Sequence, residues 1–92
     1  MWRYQAVYRK IGEGDSERIE YSICEVYLDE EGKLEGSTES PSMIPHGETL
    51  SELIGDLKIM TEDVSKWKAV DFDKMQAGMT FERIESKQEL EI

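Results

Sequence analysis

One cysteine, one histidine and two prolines occur in 92 residues, and no apolar run exceeds three. The single thiol, Cys24, excludes an internal disulfide and any cysteine-based zinc site. Runs as short as Ala6-Val7-Tyr8 and Val26-Tyr27-Leu28 leave no segment able to span a bilayer as a helix. The start, Met1-Trp2-Arg3-Tyr4, lacks the basic head and apolar stretch of a signal peptide. A lone thiol without an export signal predicts a cytoplasmic protein.

Basic residues are also scarce. Eleven Lys and Arg stand against 21 Asp and Glu, for a net charge of −10. The deficit is even, at −5 for residues 1–46 and −5 for residues 47–92. The closest basic groupings, Arg9-Lys10 and Lys66/Lys68, are too small to make a patch. Binding phosphates draws on clustered Lys and Arg, so no direct nucleic-acid partner is expected. The length fits one small domain. Leu, Ile, Val and Phe make 20 of the 92 residues, just above the level at which high charge predicts disorder. Periodicity must decide.

It does so first in Trp2 to Ile11. Trp2, Tyr4, Ala6 and Tyr8 alternate with Arg3, Gln5, Val7 and Arg9, which predicts a strand over 2–11 with its aromatic face in the core. Gly12-Glu13-Gly14-Asp15-Ser16 makes a flexible hairpin connection. A second strand is expected over 17–28. There Ile19, Tyr21 and Ile23 share one parity, whereas Val26 and Leu28 share the other. The pattern predicts a β-bulge near Cys24-Glu25, the alternative being a strand covered on both faces at its end. Asp29-Glu30-Glu31-Gly32 reads as a turn. A polar edge strand weakened by Gly36 follows over 33–39.

After a loop holding both prolines, Thr49-x-x-Glu52 is a capping box. Leu50, Leu53, Ile54, Leu57, Met60, Val64 and Trp67 then recur at helical spacing, predicting a helix over 49–67 laid across the sheet. The segment 69–85 carries a weaker signal, with a fourth strand left open, and 86–92 reads as a polar tail. The fold class is α+β: a three-stranded antiparallel meander, or four-stranded with the C-terminal segment, under one amphipathic helix. The far sheet face then needs cover from the C-terminal segment or from a second copy of the chain.

This order, with Gly47-Glu48-Thr49-Leu50-Ser51-Glu52-Leu53-Ile54 opening the helix, resembles the HicB-like antitoxin domain. That family carries a Gly-Asp/Glu-Thr-Leu-x-Glu-Ala stretch at the same point, then a helix across a small antiparallel sheet. Tyr21 to Gly32, with its core from Glu25 to Gly32, is also similar to a group of small bacterial proteins of the same layout. The family's Pro-Asp-Leu-Pro-Gly-Cys loop is replaced here by Ser40 to His46. No room remains for its appended operator-binding domain. The resemblance therefore implies masking of a small basic RNA-cleaving partner without DNA binding. A homodimer with a regulatory or ligand-binding role is the alternative.

Other chemistry finds little support. Cys24 and His46 are the candidate nucleophile and base, but packing explains a mid-strand cysteine and solvation explains a histidine before a helix. Asp71-x-Asp73 continues with Met75 and Gln76 where a calcium loop needs an oxygen and a glycine. No catalytic residue, metal site or cofactor is assigned, and the protein is expected not to be an enzyme. Ten of the 21 acids lie between Glu13 and Glu39. Among them Glu20, Glu25, Asp29, Glu30, Glu31 and Glu35 form the candidate acidic surface for a basic partner.

Overall fold

The structure is a computed structural model that describes residues 1–85; the polar tail expected over 86–92 lies outside them. Strand β1 (Trp2–Ile11) runs into a 3₁₀ turn at Gly14–Ser16 and returns as β2 (Arg18–Leu28). Gly12 has φ +91, and a side chain there would strike the carbonyl of Ser16, so the tight connection requires glycine. Strand β3 (Leu34–Ser37) follows a turn held by Asp29, whose Oδ1 accepts from the Glu31 and Lys33 amides at 2.8 and 2.9 Å. Helix α1 (Leu50–Val64) comes next, then a two-residue strand β4 (Val70–Asp71).

The architecture is α+β with a four-stranded sheet of order β3-β2-β1-β4. β4 pairs with β1 in parallel, through Val7 with Val70 and Tyr8 with Asp71. The fourth strand left open by the sequence thus exists, but it makes the sheet mixed rather than an antiparallel meander throughout. Such a pair needs a long crossover, which the loop and helix between Ser37 and Val70 supply.

No bulge interrupts Cys24-Glu25. The β1–β2 ladder keeps one register from Trp2 opposite Tyr27 to Ile11 opposite Arg18. The irregularity lies between Tyr27 and Leu28, on the β3 side. The change of parity along β2 marks neither a bulge there nor cover on both faces: Cys24, Val26 and Leu28 are buried on one face, whereas Ile19, Tyr21 and Tyr27 are exposed on the other. Val7, Cys24, Val26, Leu28 and Leu34 form the buried cluster, and Val70, Phe72, Met75, Met79 and Phe81 pack over it. The C-terminal segment therefore covers the core. It leaves β4, reaches the opposite edge where Leu34 donates to the Met79 carbonyl at 2.8 Å, and returns to pair Lys68 with Glu82 and Ile84 with Lys66.

This reverses the expected sheet polarity. The face of β1 bearing Arg3, Gln5 and Val7 is buried, while of the aromatic face Tyr4 is buried under the helix but Trp2 is 50% exposed and Tyr21, opposite Tyr8, is 65% exposed. Arg3 is accommodated by stacking, its guanidinium lying 4.3 Å from the Trp67 ring centroid and 4.8 Å from that of Phe81. It also donates to Gln5 Oε1, and Gln5 Nε2 donates to the Ala6 and Lys68 carbonyls at 2.9 Å each. Two polar side chains are thus buried because the C-terminal segment supplies rings and carbonyls for them.

Candidate interaction surface

Helix α1 begins as its sequence dictates. Thr49 accepts from the Glu52 amide, and Glu52 reaches back to the Thr49 amide. The chain enters tightly enough that a Cβ on Gly47 would collide with the Leu53 backbone. The helix ends sooner than the apolar spacing predicts, at Val64, so Trp67 lies outside it, bridged to Arg83 and stacked on Arg3.

The helix also docks by a different face. Tyr4 donates its hydroxyl to Asp56 Oδ1 at 2.6 Å and its backbone amide to Asp63 Oδ2 at 3.0 Å. Asp56 Oδ2 accepts from the His46 amide at 2.8 Å. With Met60 between them, Asp56 and Asp63 repeat at i, i+4 and i+7, one side of a helix. That side meets β1, and Met60 is the only buried helical residue. The apolar stripe is rotated partly away from it. Leu50, Ile54 and Leu57 are 73, 45 and 44% exposed, so the helix buries only the Leu53, Met60 and Val64 side of the stripe that predicts it. Ile54, Leu57, Lys58, Thr61 and Glu62 line an open groove of about 360 Å³.

The Tyr4–Asp56 bond has opposite effects on its partners. Desolvation, then the Asp56 hydrogen bond, pushes the Tyr4 phenol well above its ordinary range. The Tyr4 hydroxyl and the His46 amide hold Asp56 below its usual 3.8. A carboxylate with a depressed folded pKa stabilises the protein fully above its unfolded pKa, and that contribution disappears as pH falls through the folded value. Tyr4→Phe should lower stability at neutral pH and flatten its decline below about pH 4, as urea titrations at a series of acidic pH values would record.

The six candidate acids do not gather into one cluster. Asp29, Glu30 and Glu31 share the β2–β3 turn, where Asp29 organises the backbone and Glu31 pairs with Lys33 at 3.1 Å. Glu35 is exposed on β3. Glu25 lies on the aromatic face and accepts from the Tyr27 hydroxyl at 2.8 Å. Glu20 lies about 30 Å along β2 from Asp29 at strand rise, paired with Arg18 at 2.6 Å. Cys24 is fully buried on the core face, where desolvation raises its thiol to about 11. His46 is exposed and its backbone is tied to Asp56 on the helix side, so the sheet separates the two. Among the described residues no group of three or more His, Cys, Asp or Glu converges as a metal site.

Two parts of this arrangement escape sequence reasoning: the Asp56–Tyr4–Asp63 contact and the Arg3 stack. Asp56, Met60 and Asp63 at i, i+4 and i+7 were the available signal for the first; the second has none. Among the described residues no helix is long and apolar enough to cross a membrane. Comparison with protein-family models, curated proteins and solved structures finds no significant match.

Proposed function

We propose that this chain is a non-enzymatic protein-interaction domain that docks a small basic protein on the outer face of α1, in the manner of an antitoxin masking its partner. One observation carries the reading: Leu50, Ile54 and Leu57 remain uncovered on a helix that is otherwise firmly capped. Contiguous exposed apolar side chains rimmed by polar ones mark protein-binding sites. The groove is open rather than enclosed, which suits a protein surface better than a small molecule. The charge of −10 steers a basic partner toward it, and the resemblance of the helix entry to HicB-like domains adds the masking role.

A tagged pull-down from the native host, at low and high salt, tests this. The expected result is a stoichiometric small basic protein, released by salt and lost with Ile54→Glu or Leu57→Glu. Cys24→Ala and His46→Ala should retain it. Recovery of the chain alone would overturn the reading, as would a partner indifferent to both helix substitutions.

A further inference from the structure

Backbone groups alternate sides along a strand, and on β2 the odd residues face away from β1. The Glu25 carbonyl accepts from Thr38 at 3.0 Å and the Ile23 carbonyl from Met43 at 3.0 Å, whereas the Leu28 amide turns the other way to Met1. The same alternation directs the amides and carbonyls of Ile19 and Tyr21 outward. β3 pairs only with Val26, Tyr27 and Leu28, so among the described residues no strand lies beside Arg18–Ser22. Ile19 and Tyr21 are 49 and 65% exposed.

We propose that the outer edge of β2 from Glu17 to Tyr21 pairs with the same edge of a second copy of this chain, antiparallel about a two-fold axis at Ile19. Sequence and register both select this occupant. Around Ile19, Arg18 of each copy stands opposite Glu20 of the other, giving two complementary pairs on one face of the joined sheet. Ile19 meets Ile19 on the other face, beside the Tyr21 ring, which already leans on Tyr8 at 5.9 Å. Ile19 would exchange both backbone bonds with its copy, and each Tyr21 amide would donate to the Glu17 carbonyl of the other chain. The pairing has natural limits at both ends. Met43 occupies the edge at Ile23, and the Glu17 amide is already bonded to Gly14.

Charge is the one usual obstacle to such pairing that the edge carries. The edge contains no proline, no bulge and no inward-pointing lysine. Its charges complement their own copies, and the remaining negative charge is screened beyond about 8 Å at physiological salt. A junction this small belongs to the weak, transient class of interfaces. It is separate from the outer face of α1, so either surface could fail without the other.

Sedimentation of the full chain from low micromolar to submillimolar concentration tests the proposal. The wild type should show a reversible monomer–dimer equilibrium. Arg18→Glu alone and Glu20→Arg alone should each weaken it about tenfold, because like charges then stand opposite one another. An equimolar mixture of the two variants should form a heterodimer of wild-type affinity, which no effect within one chain can produce. The Ile19 and Tyr21 amides should gain hydrogen-exchange protection as concentration rises, and Ile54→Glu should leave the dimer unchanged. A chain that stays monomeric throughout would overturn the proposal, as would a dimer insensitive to Arg18→Glu or a mixture no tighter than its components. Loss of the dimer with Ile54→Glu would move the contact to the helix and overturn it equally.

Discussion

Phe81→Ala should destabilise the protein by about 2–4 kcal/mol, whereas Ile54→Ala or Leu57→Ala on the helix should each change it by less than about 1 kcal/mol. Phe81 packs on the cluster of Val7, Cys24, Val26, Leu28 and Leu34 and also forms one wall of the Arg3 slot. Its truncation removes apolar burial, leaves a partly collapsible cavity and frees one side of a buried cation. The helical side chains are already nearly half exposed, and alanine favours a helix. A domain of this size has only about 5–10 kcal/mol in total, so the contrast is large on that scale. Urea unfolding of the three variants measures it. Equal losses in all three would place the core under the helix instead of under the C-terminal segment.

The second large effect concerns Arg3. This side chain is 8% exposed, and its Nε and Nη2 have no hydrogen-bond partner. Desolvation lowers its pKa from 12.5 to about 10, with Asp63 partly offsetting that shift. Between those values the unfolded chain holds the proton more tightly than the folded one. Its contribution to stability therefore rises with pH over that window, and the full penalty is present below about pH 10. Arg3→Met keeps the volume between Trp67 and Phe81 and removes the unpaired donors, but it forfeits the ring contacts and the bond to Gln5. These opposing effects should leave stability within about 1 kcal/mol of wild type. Arg3→Ala empties the slot and should lose about 2–4 kcal/mol. Thermal and urea unfolding at neutral pH distinguish the two. A methionine variant as unstable as the alanine variant would mean that the charge itself holds the segment.

Arg3 also explains where sequence reasoning fails. Alternation located both arms of the hairpin, and Thr49 with Glu52 located the helix start, because each rests on contacts a few residues apart. The choice of core face does not. Trp2, Tyr4 and Tyr8 are the more apolar side of β1, and nothing near Arg3 or Gln5 announces that Trp67, Lys68 and Phe81 will cover them. Trp67 reads as the last residue of the helical stripe, and Lys68 and Phe81 lie in a stretch without periodicity, where two residues of parallel pairing and one isolated bridge replace a regular strand. The helix face misled for a related reason. Seven apolar positions suggested a buried stripe, but the two aspartates at i and i+7 had partners on Tyr4 that spacing alone cannot reveal. For the same reason the acidic positions were visible as residues, but their distribution over a turn, two faces and a distant strand end was not.

The order of the chain has a consequence for its synthesis. The residues that cover the core, from Val70 to Phe81, are made after helix α1, whereas Val7, Cys24 and Val26 precede it. At ordinary elongation rates about 3–11 s separate Val26 from Phe81. Throughout that interval β1 and β2 lack the side chains that cover Val7, Cys24 and Val26, and a two-stranded hairpin alone is only marginally stable. A nascent chain of this design is exposed to chaperones, and to neighbouring copies on the same message, until Val70 to Phe81 emerge.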